Sequence, residues 1–289
     1  MAIIFDANRK IFTIHTKHTT YQMQADAKGY LLHLYYGVRV KGTMDYLLCY
    51  ADHGFSGNPY AAGMDRTYSL DALPQEYPSL GTGDCRNIAL NITSAVGTEC
   101  CDPIFNSYKI TKGKYSLQGL PAVWAADDEA ETLEIVLKDD LTQVEIHLLY
   151  GVLEDADIRS VVIKNTGTET ITVKKALSAC LDFVQGDYDA ISFYGRHAME
   201  RNLERVPVGH GTYQIGSRRG SSSHQYNPGV ILADRTATEE ATECFLCTVE
   251  ILSARPSVIS LIRHVSRWDW AMNCLLILWQ QVQNLRLRK

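Results

Sequence analysis

Apolar and polar residues alternate through most of the first 195 residues, and this period of two limits the fold more than any other feature. It is clearest in the runs TLEIVLKDD (132–140), TQVEIHLLYGVL (142–153) and RSVVIKNTGTETITVKKALSACLDF (159–183). Such alternation is typical of strands with one buried face, and turn signals such as Asn165-Thr166-Gly167 separate them. The pattern predicts an all-β fold in which two antiparallel sheets pack face to face as a large β-sandwich.

The charge balance of the chain argues against two classes of partner. The net charge is −5, with 46% hydrophobic and 21% charged residues. This composition gives no electrostatic reason to expect nucleic acid or an anionic membrane as a partner. The first residues, MAIIFDANRKIF, include an acidic residue at position 6 and do not have the pattern of a signal peptide, so we expect a cytoplasmic protein.

The eight cysteines are scattered along the chain and do not form a recognisable framework. In a cytoplasmic protein such cysteines are expected to be free thiols. Cys244 and Cys247 form a single CxxC pair, but no second pair or histidine cluster follows at the spacing of a zinc site. We therefore predict no bound metal and no cofactor.

Three stretches interrupt the strand pattern and are the candidates for function. Residues 50–86 contain five glycines and three prolines. Residues 182–211 combine acids, aromatics, arginines and two histidines, and residues 217–232 form a polar loop before a strand. A loop as long as the first is uncommon unless it has a function. Hydroxyl-binding polar groups beside aromatic rings suit a sugar, whereas ordinary solvated loops are the alternative interpretation.

The motifs in and around these stretches follow one another in a familiar order. They are DHGFSGNPY, DRTYSLDALPQEY, GTGDCR, KGKYSLQGLPAVW, EAETLEIVLKD, ALSACLDF, YGRHAMERNLER and GSRRGSSSHQYNP. From residue 1 to about 244 the chain resembles the amino-terminal part of α-galactosidases of glycoside hydrolase family 36. The resemblance implies a large β-sandwich domain, followed in the full-length family by a (β/α)8 barrel that carries both catalytic aspartates.

The resemblance also implies an activity and an assembly. The family hydrolyses terminal α-galactosides such as melibiose and raffinose with retention, and its members form homotetramers. A sandwich loop of one subunit closes the galactose pocket in the barrel of a neighbour. Carried over to this chain, the substrate-binding residues are Asp52, as a hydroxyl acceptor, and His197, where other members have Trp. A solvated loop, or an internal salt bridge with Arg66 or Arg196, is the alternative for these side chains.

The composition changes abruptly after residue 244. All 20 glycines lie at or before Gly229 and all 16 tyrosines at or before Tyr226, whereas three of the four tryptophans follow residue 267. Reading the forced Trp and Met codons in a shifted frame restores glycine, and the frame can encode Tyr-Ser-Gly-Asn-Phe across 247–252, which resembles the continuation of the family sequence. We therefore interpret 1–244 as the sandwich domain and 245–289 as an out-of-frame tail, poorly structured or helical.

The segment RWDWAMN (267–273) in this tail imitates the nucleophile motif of the family. In the family that motif follows several βα units, and none precedes it here. We expect Asp269 to have no catalytic role, and the chain to contain no catalytic residue and not to hydrolyse α-galactosides by itself. Other interpretations stay open: an amphipathic helix in the tail, a stand-alone carbohydrate-binding β-sandwich, or an oligomerisation domain.

Overall fold

The structure is a computed structural model of the 289-residue chain, and it is built almost entirely from strands. It describes residues 2–52, 54, 57–117, 123–154, 156–183, 187–209, 212–217, 225–238, 244–248, 257–262, 277–278 and 285–287. In chain order the strands are β1 (Ala2–Asp6), β2 (Ile11–His15), β3 (Thr19–Ala25), β4 (Leu31–Val38), β5 (Leu90–Thr93), β6 (Ile104–Lys112), β7 (Glu131–Asp139), β8 (Val144–Val152), β9 (Asp157–Asn165), β10 (Ile171–Ala176), β11 (Tyr188–Arg196), β12 (Met199–Pro207), β13 (Thr212–Ser217), β14 (Tyr226–Asp234), β15 (Cys244–Thr248), β16 (Ser257–Ile262), β17 (Ile277–Leu278) and β18 (Leu285–Leu287). Two short 3-10 helices lie at Asp45–Leu47 and Tyr60–Ala62.

The strands form antiparallel sheets, as the alternating pattern predicts. Two four-stranded sheets have the orders β1-β2-β3-β4 and β6-β7-β8-β9, and the others have the orders β18-β10-β5, β12-β11-β14-β15-β17 and β13-β16. Every pairing is antiparallel except that between β15 and β17. The prediction of an all-β antiparallel sandwich is confirmed, and the described residues contain no α-helix of a (β/α)8 barrel.

The main hydrophobic core lies between the two four-stranded sheets. Phe12, Ile14 and Met23 from the first sheet and Leu133 and Ile146 from the second are all at most 1% exposed and belong to one cluster. In β7 the residues at every second position from Leu133 to Leu137 are buried, so the period of two read from the sequence corresponds to one core-facing side of the strand.

A second, smaller core lies beneath the long segment 50–86. Tyr30 and Leu32 of the first sheet region pack against Ala62, Tyr68 and Leu70 of that segment. Its described residues are irregular, as predicted, apart from one short 3-10 helix. The buried side chains of the segment pack against Leu32 of β4. The exposed residues of the segment therefore lie on top of a packed apolar cluster.

The stretch 182–211 departs from the prediction that it is a loop. Most of it is a hairpin of two strands, β11 and β12, joined by a turn at residues 197–198. β12 is an edge strand in which all nine residues except Val206 are exposed. Because an exposed edge strand has no apolar face to bury, its sequence of charged residues resembles that of a loop.

The tail after residue 244 is described only in four short backbone segments. All four are strands, and β15 and β16 pair with β14 and β13. The rest of the tail, including Asp269, lies outside the described residues. In the described part of the chain, no helix is long and apolar enough to cross a membrane.

Candidate functional site

Asp52 lies at the surface of the segment 50–86 and has a fixed orientation. Its Oδ1 accepts the backbone N–H of Gly54 at 2.8 Å. The Arg66 guanidinium contacts both carboxylate oxygens, with Nε 3.3 Å from Oδ2 and Nη2 3.4 Å from Oδ1. The side chain of Asp52 is 46% exposed. An ionised carboxylate has about four acceptor positions, so Asp52 can accept a ligand hydroxyl while the ion pair with Arg66 holds it in place.

The loop that carries Asp52 and Arg66 is fastened by its own polar groups. Asn58 donates its side-chain N–H groups to the carbonyls of Gly63 and Asp65 at 2.8 and 3.0 Å. The carboxylate of Asp65 accepts both the backbone N–H and the hydroxyl of Thr67. These contacts close a compact loop, which leaves Tyr60 fully exposed and Met64 95% exposed on its outside.

Arg86 connects the end of this segment to the rest of the molecule. Its guanidinium donates to the carboxylates of Asp84 and Asp182 and to the carbonyls of Leu70 and Leu73, at 2.7–3.1 Å. Burial lowers the pKa of Arg86, but Asp84 and Asp182 outweigh it and raise that pKa above its usual value. A charged, fork-shaped donor therefore joins residues that are far apart in sequence.

His197 lies at the tip of the β11–β12 hairpin and is exposed. The next residue, Ala198, has a positive φ of 61°. On the neighbouring strand end, a side chain at Gly195 would place its Cβ 2.2 Å from the carbonyl oxygen of Met199, so glycine is required there. The Arg196 guanidinium lies against the sulfur of Met199 and makes no ion pair with Asp52 among the described residues. The imidazole of His197 is thus presented to solvent on a narrow hairpin.

A buried charge cluster centred on Glu76 was not predicted from the sequence. Its carboxylate accepts the hydroxyls of Tyr21 and Tyr150 at 2.7–2.8 Å and a hydrogen bond from Nη1 of Arg159. Nδ1 of His33 lies 3.4 Å from Oε2, and the Arg159 guanidinium lies 4.2 Å from the centre of the Tyr150 ring.

The surroundings of Glu76 favour its ionised form. Burial alone raises the pKa of Glu76, but Arg159, followed by His33 and Tyr21, lowers it to about 2. The side chain of Glu76 is 0% exposed, so no substrate can reach it. This cluster joins β3, β8 and β9 inside the sandwich. Among the described residues, no group of three or more His, Cys, Asp or Glu side chains is placed to hold a metal ion.

Comparison with known proteins identifies the domain. Residues 29–250 match the model of the glycosyl hydrolase family 36 N-terminal domain. The chain is 70% identical over 247 residues to the bifunctional alpha-galactosidase/sucrose kinase AgaSK of Mediterraneibacter gnavus, which covers 85% of this chain and 26% of that protein.

Solved structures give the same result for the fold. The galactosidase domain of AgaSK superimposes with a TM-score of 0.80 at 70% identity, covering 82% of this chain and 33% of that chain. A variant of the alpha-galactosidase AgaA from Geobacillus stearothermophilus, solved in complex with stachyose, superimposes with a TM-score of 0.77 at 35% identity, covering 87% and 37%. The chain thus spans 26–37% of the length of these three proteins. Because the family model covers most of the sequence and the fold agrees, this chain belongs to glycosyl hydrolase family 36 and carries its N-terminal domain.

Proposed function

We propose that this chain supplies the β-sandwich domain of an α-galactosidase that hydrolyses terminal α-galactosides such as melibiose and raffinose with retention. The observation that carries the proposal is the match of residues 29–250 to the N-terminal domain of the family. In such enzymes two carboxyl groups about 5–5.5 Å apart act as nucleophile and as acid–base. We place both of them in a barrel outside the described sandwich, so no catalytic residue is assigned here.

Within the assembled enzyme, Asp52 and His197 are proposed to contact the galactoside bound in the barrel of a neighbouring subunit of a homotetramer. The exposed carboxylate of Asp52, oriented by Arg66, supports a role as hydroxyl acceptor. The exposed position of His197 at a hairpin tip supports a hydrogen bond to the sugar, since an imidazole offers both a donor and an acceptor.

We propose further that residues 245–289 are an out-of-frame tail and that the protein is cytoplasmic. The family match ends at residue 250, so it supports an out-of-frame tail for the residues after 250, whereas residues 245–250 lie within the match. The free cysteines of the described residues, such as exposed Cys49 and buried Cys101, support a reducing compartment. Resequencing the 3′ part of the gene tests the frame.

The experiment that tests the enzymatic proposal restores the reading frame after Cys244. The product is expected to hydrolyse an aryl α-galactoside. In that product, Asp52→Asn is expected to raise KM for the α-galactoside more than the control Asp128→Asn does. Asp128 is an exposed aspartate in a turn. A frame-restored protein that folds but does not cleave α-galactosides would contradict the assignment. Equal KM values for the two variants would remove Asp52 from the site.

A stand-alone carbohydrate-binding module is the second candidate, because the loop surface carries exposed rings. Tyr46 is 73% exposed and Tyr60 is fully exposed, and exposed aromatic faces bind sugar rings. Titration of the 289-residue chain with raffinose, followed by tyrosine fluorescence, tests this candidate. Saturable binding that is lost in Tyr60→Ala would favour it over a purely structural domain.

A further inference from the structure

Asp157, the first residue of β9, is a buried acid without a hydrogen-bond or ion-pair partner in the part of the chain that the structure describes. Both of its carboxyl oxygens are inaccessible, and neither has a hydrogen-bond partner among the described residues. Other buried acids differ in this respect. Glu76 binds Arg159, and Asp139 accepts hydrogen bonds from Thr142 and from the backbone of Leu141. No hydrogen bond from the described residues therefore offsets the free-energy cost of burying the Asp157 carboxyl group.

The charged and titratable groups around Asp157 do not balance a negative charge there. Arg159, two residues along β9, is already paired with Glu76, and none of the described cations lies within 4.0 Å of the Asp157 carboxylate. Lys17, near the β8–β9 turn, is paired with Glu154. The titratable and charged groups that line the same cavity as Asp157 are Tyr21 of β3, Tyr150 of β8 and Arg159 of β9.

A small cavity lies beside Asp157. It has a volume of about 20 Å³ and is lined by Asp157 and Arg159 together with Ile14, Ile158, Ala179 and Leu181 and the rings of Tyr21 and Tyr150. A space above roughly 10–15 Å³ can hold one water molecule. A hard cation would need about six oxygen ligands, whereas the accessible surface that lines this cavity is apolar. Protonation of the carboxyl group therefore best explains how Asp157 is buried, because it removes the charge whose burial would be costly.

We propose that Asp157 is carried in the folded sandwich as a neutral carboxylic acid beside this cavity, and that its ionisation makes this end of the sandwich a pH-sensitive element. An ionised Asp157 would have to recruit water, which loosens the packing of the segment 177–183 on β9.

The direction of the pH dependence follows from the burial of the group. Burial raises the pKa of Asp157 from 3.8 to about 7. The unfolded chain ionises first, so the contribution of Asp157 to stability is fully present below pH 3.8. It is lost progressively as the pH rises toward 7, and it changes no further above that value.

The experiment compares the full 289-residue chain with its Asp157→Asn variant in urea unfolding between pH 4 and pH 8. We expect the unfolding equilibrium constant of the wild type, divided by that of the variant, to rise about tenfold per pH unit and about a thousandfold in total up to pH 7. Asp128→Asn, at an exposed turn, should follow the wild type. Parallel curves for wild type and Asp157→Asn would overturn the proposal.

Infrared spectroscopy tests the same proposal without relying on the stability of a variant. At pH 6 the folded wild-type chain should show the C=O band of a protonated carboxyl group, and this band should disappear as the pH is raised past 7. In a folded Asp157→Asn protein the band should be absent. A wild-type spectrum at pH 6 with carboxylate bands only would show that Asp157 is ionised and would overturn the proposal.

Discussion

Replacing Glu76 by glutamine tests the energetic importance of the buried cluster. The substitution keeps the size of the side chain and an acceptor for the hydroxyls of Tyr21 and Tyr150, but it removes the charge that faces Arg159. Arg159 is itself only 5% exposed, so it would remain as an uncompensated buried cation. Breaking one side of a buried pair costs about 3–5 kcal/mol.

The pKa of Glu76 gives a second, consistent magnitude. A folded-state pKa of about 2 against an ordinary value of 4.5 corresponds to about 3 kcal/mol of stability linked to the ionised carboxylate. Because the folded pKa is the lower one, this stability is present above pH 4.5 and is lost as the pH falls toward 2. The difference between wild type and Glu76→Gln should therefore shrink over that range.

The assay is urea unfolding of both proteins at pH 7 and at intervals down to pH 3, with Glu154→Gln as the control. Glu154 pairs with Lys17 at the surface, where an ion pair contributes little, so its variant should unfold almost as the wild type does. Adding Arg159→Met to Glu76→Gln should recover part of the loss, since the double variant leaves no buried charge unpaired. If Glu76→Gln cost no more than Glu154→Gln at pH 7, the reasoning would be refuted.

Two further predictions concern the parts of the fold that position the proposed sugar contacts. Gly195→Ala should destabilise the hairpin that carries His197 by about 1–3 kcal/mol, because the added Cβ overpacks against the Met199 carbonyl. Thermal unfolding measures this loss of stability. Gly209→Ala is the control, and it should lose less stability than Gly195→Ala because its added atom meets nothing within 4 Å. Arg86→Met should speed amide hydrogen exchange across residues 69–86, because the carbonyls of Leu70 and Leu73 and the carboxylate of Asp84 lose their shared donor. Unchanged exchange there would show that the segment is held by its apolar core alone.

The sequence predicted the fold class because alternation is a local signal. Every second residue of β7 from Leu133 to Leu137 is buried, as the pattern TLEIVLKDD requires. The pattern could not show which strands pair across long separations, such as β5 with β10, where Thr93 lies opposite Thr172. Nor could it separate an exposed edge strand from a loop, which is why β12 was predicted as part of a loop.

The site residues illustrate the same limit. The ion pair between Asp52 and Arg66 spans 14 residues of one loop, so it could be named from the sequence as an alternative to sugar binding, and the structure contains it. Glu76 gave no such signal, because its partners Tyr21, Tyr150 and Arg159 lie 55, 74 and 83 residues away on three different strands. Charges brought together by the tertiary fold leave no local pattern.

The most direct test of the account is the turnover of an aryl α-galactoside by the purified 289-residue chain, beside its Asp269→Asn variant. A retaining glycosidase needs two carboxyl groups on a rigid frame around one anomeric carbon, and contacts to the substrate alone lower no chemical barrier. The account predicts no release of the aryl alcohol above the uncatalysed rate from either protein. Turnover by the wild-type chain that disappears in Asp269→Asn would contradict it.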